Sequence, residues 1–143
     1  SSPLWEGGHS ENRLAILGIL QELFEARQLL KDKNTALIAE VTDYVQKNID
    51  SVNLESAARH INVSPQYLSR LFHNVSGKKF IDLVKEMRME EAKKLLLQGD
   101  SVRNAAISVG YGNLSYFSFT FKNHTGLSPR DFARERTTSP PLP

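Results

Sequence analysis

The chain has 143 residues and no cysteine. That excludes a disulfide framework and any thiolate zinc site, and it fits a reducing cytoplasm. Charge of one sign is also scarce. Eighteen Lys and Arg stand against 16 Asp and Glu, for a net charge of +2. Ser1 to Asn34 carries four basic and five acidic residues, which leaves 14 basic against 11 acidic in the remainder. This is a weak electrostatic footprint, so binding to a polyanion would lean on helix N-termini and polar contacts as much as on bulk charge. Long apolar runs are missing. Leu14 to Leu23 is apolar but short and is followed by Glu25 and Arg27, so no membrane span and no membrane partner is expected; nor is there a secretory signal. Catalytic signatures are wanting as well. There is no Gly-rich phosphate loop, no Cys nucleophile and no HExxH motif, and none of His9, His60, His73 and His124 has a metal-type neighbour four residues on. Neither enzyme chemistry nor a cofactor nor a metal is expected. Glu86, Glu90 and Glu91 with Lys93 and Lys94 read as ordinary i,i+4 helix pairs.

What the chain does have is an internal repeat. Tyr67/Tyr116, Ser69/Ser118, Phe72/Phe121, Asn74/Asn123 and Gly77/Gly126 are identical pairs at an offset of 49. The register continues to Asp82/Asp131 and, upstream, to Ser64/Asn113, both good helix N-caps. Before that the offset falls to 48, pairing Ala57-Ala58 with Ala105-Ala106 and Asn62 with Gly110; the extra residue is Gly112 in a turn. Two copies of one helical unit imply a device that makes the same contact twice.

Each copy reads as a helix-turn-helix. A short helix from Leu54 to Ile61, capped by Asn53, stops at Asn62, a residue type that tolerates positive φ. Gly110 meets the same demand in the second copy. The following helix has Ser64 as N-cap and Pro65 at its first position, and its counterpart has Asn113 as N-cap. The paired alanines mark where two helices cross closely. In the first such helix, Leu68, Leu71, Phe72 and Val75 fall on one inward face. Gln66, Ser69, Arg70 and His73 are left outside. In the second, Phe117 and Phe121 face inward, leaving Leu114, Ser115, Ser118, Phe119 and Lys122 outside. For a single amphipathic helix the outer face would be mere solvated surface; its occurrence twice, with matching turns, favours DNA reading. Between the copies, Phe80 to Gln98 forms a helix with an apolar stripe of Ile81, Leu83, Val84, Met87, Ala92, Leu95 and Leu96. It is long enough to hold two recognition helices about one turn of B-DNA apart, roughly 34 Å.

The pattern Val63-Ser-Pro-Gln-Tyr-Leu-Ser-Arg-Leu-Phe72, Arg88-Met-Glu-Glu-Ala92, Val109-Gly-Tyr111, Ser115-Tyr-Phe-Ser118, Gly126 and Ser128-Pro129 resembles the DNA-binding domain of the AraC/XylS family of bacterial transcription regulators. The likeness covers Thr35 to Glu135. It implies an all-α fold of seven helices, with two helix-turn-helix subdomains joined by a long linker helix. It also implies binding to double-stranded promoter DNA, often with RNA polymerase contact, and leaves open whether transcription is raised, as by an activator, or lowered. Base-reading positions of such domains map onto Gln66, Ser69, Arg70, Ser115, Ser118 and Phe119. Ser64, His73, Asn113 and Lys122 are the candidates for contact with the DNA backbone. One departure is notable. The position matching Arg70 in the second repeat is commonly basic in this family, and here it is Phe119. Two readings are open: Phe119 packs on a thymine methyl or leaves reading to a backbone clamp at Lys122, or it turns inward.

The expected organisation is an arm or interdomain linker helix over residues 1–34, the DNA-binding domain over 35–136 and a disordered tail over 137–143. Within the arm, Ser1 to His9 reads as loose and Ser10 as the N-cap of an extra N-terminal helix to Lys33. That helix has a wide apolar face of Ile16, Leu17, Ile19, Leu20, Leu23, Phe24, Ala26 and Leu30. Three partners would cover the face. They are the domain's own first helix (Leu37 to Ile49), favoured here, a second copy through residues 10–33, or an upstream sensor domain. The chain does not begin with Met, and the resemblance implies a ligand-binding or receiver domain ahead of it. The competing class is a helical protein-interaction or dimerisation module that does not bind DNA.

Overall fold

In the computed structural model, residues 2–138 are described, with side chains described for 11–135. The described residues form seven helices and no strand: α1 (Ser2–Lys47), α2 (Leu54–His60), α3 (Pro65–Ser76), α4 (Phe80–Leu97), α5 (Val102–Ser108), α6 (Leu114–Thr125) and α7 (Pro129–Thr138). None of these helices is long and apolar enough to cross a membrane.

The arm corrects the sequence reading. No break occurs at Asn34, and no N-terminus at Ser10; the residues expected to be loose, from Ser2 onward, lie in α1 as well. The reason is local. Between Gly18 and Lys47 there is no Gly or Pro, and Asn and Thr inside a helix cost only about 0.7 kcal/mol each. Thr35 Oγ1 donates back to the Lys31 carbonyl at 2.9 Å. The arm and the domain's first helix are one helix, and the apolar stripe is exposed at Leu14, Ile16, Leu17, Leu20, Leu23, Phe24 and Leu30. The favoured burial of that stripe against Leu37 to Ile49 is therefore not found. Two compact units result, Ser1–Ile38 and Ala39–Pro143. Of the expected disordered tail, Thr137 and Thr138 close α7 and the rest lies outside the described residues.

In the second unit the repeat is written in the backbone. α2 and α5 are each seven residues and end in C-caps with the same dihedral angles, φ −102° and ψ 11° at Ile61 and Val109. Asn62 and Gly110 follow with φ of 59° and 93°. The amide of Val63 returns to Ala58 O at 3.0 Å, and that of Tyr111 to Ala106 O at 2.9 Å. α3 and α6 start on side-chain caps, Ser64 to Tyr67 N (3.1 Å) and Asn113 to Tyr116 N (2.9 Å). Both end on left-handed glycines, Gly77 and Gly126. Ser76 and Thr125 bond back to Phe72 O and Phe121 O in the same way. These local bonds satisfy some of the free N–H and C=O groups at each helix end, so the motif is specified largely within its own segment.

Packing follows the same division. Ala57, Ala58, Leu68, Leu71 and Phe72 are buried where α2 meets α3, and Phe72 packs edge-on against Phe80 of α4 at 5.8 Å. On the other side, Met89, Ala92 and Leu96 of α4 form one cluster with Ala105, Ala106, Val109, Phe117 and Phe121. Phe132 of α7 closes it with an edge contact to Phe121 at 5.4 Å. α4 thus contributes to both cores, as a rigid bridge must. Two expected inward residues do not face in: Val75 and Ile81 are exposed. Val75 sits in the last turn of α3, and Ile81 sits in the first turn of α4, where it lines an open groove with Val84.

Candidate nucleic-acid interface

Of the base-reading candidates, Gln66, Ser69, Arg70, Ser115 and Phe119 are exposed, and Ser118 is half-buried. Phe119 is 63 % exposed, so it does not turn inward. With Leu114 (41 %) and Tyr116 (51 %) it gives α6 an apolar, aromatic outer face, in contrast to the polar face of α3. Ser64 and Asn113 use their side chains to cap α3 and α6, which leaves other N-terminal amides of each helix pointing outward, where an anion is favoured. Lys122 and His73 are exposed.

The two helices flank one cleft. His73 of α3 lines one side and Tyr116, Phe119 and Asn123 of α6 line the other; its floor carries Lys78, Lys79 and Lys85 with Asp82 and Glu86. The candidate readers Ser69 and Arg70 of α3 line a neighbouring groove with α2. Lys78 is neutralised by Glu86 at 3.1 Å, whereas Lys79 and Lys85 have no carboxylate partner among the described residues. Sequence reasoning missed this pair because it weighed charge by segment and not by position. The Lys78-Lys79 doublet just ahead of the linker helix was the available signal.

His124, which also lines the cleft, is tied into the domain. Its Nε2 lies 3.0 Å from Glu90 Oε1, a cross-link from α6 to α4. That bond, helped by Lys93, holds the Glu90 carboxyl below its usual 4.5. A lowered carboxyl pKa contributes stability above the ordinary carboxylate range that is lost as pH falls through the folded value. The pairs expected at i,i+4 form at i,i+3 instead, Glu90 with Lys93 and Glu91 with Lys94.

The sequence pattern of the helix-turn-helix domain family matches residues 57–135, from the middle of α2 into α7. The chain belongs to the AraC-type helix-turn-helix family. It is 32 % identical over 102 residues to an uncharacterized HTH-type transcriptional regulator of Pseudoalteromonas carrageenovora, covering 71 % of this chain and 61 % of that protein. It is 30 % identical over 136 residues to the arabinose operon regulatory protein of Escherichia coli, covering 89 % and 46 %. Among solved structures it resembles the C-terminal domain of AraT, a response regulator from Geobacillus stearothermophilus. The TM-score is 0.67 at 39 % identity, covering 72 % of this chain and 88 % of that one. This AraC-type chain spans 61 %, 35 % and 44 % of the lengths of three of the curated relatives it matches.

If the cleft floor of this AraC-type domain lies on DNA phosphates, replacing Lys79 and Lys85 together by Ala removes two backbone contacts. The slope of log affinity against log salt should then flatten by about two units, with cognate and scrambled duplexes weakened alike. A slope unchanged from wild type would place the two lysines off the DNA.

Proposed function

We propose that the domain binds double-stranded promoter DNA sequence-specifically and regulates bacterial transcription in the cytoplasm, with α3 and α6 in successive major-groove segments. The observation that carries this reading is the pair of capped, outward-facing helices on either side of one cleft. α4, at about 1.5 Å per residue, is about 27 Å long, near the pitch of B-DNA. One chain then does what a helix-turn-helix dimer does with two. Arg70 is the reader of guanine, and Gln66 and Ser69 are its polar neighbours. On α6, Ser115 and Ser118 offer hydroxyls, and Phe119 offers only an apolar contact, which suits a thymine methyl. Ser64, His73, Asn113 and Lys122 hold the backbone. The two half-sites are therefore unlike, and the second is T-rich.

RNA polymerase is the proposed further partner on the promoter. The exposed stripe of the arm is the proposed seat of a second copy or of an upstream sensor domain; sedimentation of the chain over a concentration series separates these, since only the first gives a dimer. Selection of bound sequences from random duplexes tests the main reading. The expected result is an enriched asymmetric site whose binding weakens steeply with salt. No enrichment and no salt-dependent binding would leave a protein-interaction module in its place.

A further inference from the structure

The α1–α2 loop, which leads into the first helix-turn-helix, meets the turn of the second. Two separate features bring them together. Arg88, half-way along α4, reaches the loop: its Nε donates to Ile49 O at 2.8 Å and its Nη2 to Val52 O at 3.3 Å. The same guanidinium carbon stands 5.9 Å from the centre of the Tyr111 ring, one residue past the second turn. Independently, Gly110 lies against Asp50. A methyl group at Gly110 would fall 2.5 Å from the Asp50 carbonyl oxygen and 3.1 Å from its carbon. This also explains why the repeat departs at this position. Asn62, the counterpart of Gly110, is exposed and has room for a side chain at a similar φ of 59°. Gly110 has none.

We propose that Arg88 is a positioning residue that fixes the two recognition helices at one spacing and angle, by clamping the α1–α2 loop against the turn of the second helix-turn-helix. The packing of Phe72 on Phe80 attaches α3 near the start of α4, and the Met89–Leu96 cluster attaches α5, α6 and α7 further along. A joint between the loop and the turn adds a third point, which removes the remaining freedom to twist about α4. Arginine suits the task because its planar fork reaches two carbonyls and a ring face at once; a lysine ammonium has no such fork.

The consequence for DNA rests on the two-site reading above, and the geometric claim does not. The test separates them. The chain has no native cysteine, so Asn74→Cys and Asn123→Cys together place one spin label on each recognition helix of the full chain. Without DNA, the wild-type background should give one narrow distance distribution. Arg88→Met, which keeps the stem and removes the donors, should broaden or shift it with helix content unchanged. Arg88→Lys should do the same in part, and it decides the matter if Arg88→Met fails to fold. Distributions as narrow as wild type in the folded variants would overturn the joint. The second readout is spacing tolerance on the selected site. One inserted base pair turns the half-sites by about 35°, so wild type should lose at least about tenfold in affinity and the variants less than about threefold. An equal penalty in all three would overturn the link to DNA reading. A chain that binds no duplex would sink the DNA reading alone and leave the distances to judge the joint.

Discussion

Gly110→Val should destabilise the domain by about 2–5 kcal/mol, the sum of a backbone penalty and a steric one. The φ of 93° is closed to a β-branched residue, and the new Cβ would overlap the Asp50 carbonyl, which is backbone and cannot swing aside. The damage should be concentrated in α5 and α6, the helices that the turn joins. Asn62→Gly, at the matching point of the first repeat, should change the melting temperature little, because Asn62 is exposed and glycine accepts positive φ. Thermal melts of both variants check this. Equal, small shifts in the two would mean that the Asp50 approach is not maintained in solution.

Arg70→Ala should cost about 1–3 kcal/mol in binding to the selected site and should relax preference at one base pair. Arg70 lies exposed on α3, and no bond within the domain restrains it among the described residues, so the loss belongs to the complex and not to the fold. Lys122→Ala is the matched control. It should weaken all duplexes alike and flatten the salt slope by about one unit. Both are measured on cognate and scrambled duplexes over a salt series. An Arg70→Ala profile that parallels Lys122→Ala would make Arg70 a phosphate contact and return base reading to the rest of α3.

How far the sequence alone reached depended on how local each feature was. Caps, turns and the inward faces of α3 and α6 are set by residues within four or five positions of one another, and an offset of 49 that brings Phe72 onto Phe121 is plain on reading. So were Ala57-Ala58 and Ala105-Ala106 as close-crossing points. Other features were not legible. Continuity of α1 through Asn34 turned on the weakness of a polar stretch as a helix breaker, and a wide apolar face made burial seem compulsory when the structure leaves it exposed. The ends of periodic stripes misled at Val75 and Ile81, because a helix keeps its period where its neighbour has already stopped. The joint at Arg88 spans 36 to 39 residues; nothing near Arg88 in the chain points to Ile49 or Val52. Gly110 was read correctly for its φ, yet its second reason, the approach of Asp50, exists only in three dimensions. The cleft lysines are of the same kind, since Lys79 and Lys85 meet α6 only after α4 has folded between the repeats.

On the two-site reading, one chain places two unlike recognition helices on one face of a duplex. The decisive measurement is missing-nucleoside and hydroxyl-radical footprinting, which report on all four bases, on the selected site with the protein held at a concentration where sedimentation shows a monomer. Two protected segments about 10–10.5 base pairs apart on the same face are expected, with Arg70→Ala removing the contact at one base pair in one of them and leaving the other unchanged. Protection confined to a single groove segment, or a palindromic footprint that appears only when two chains bind, would contradict it.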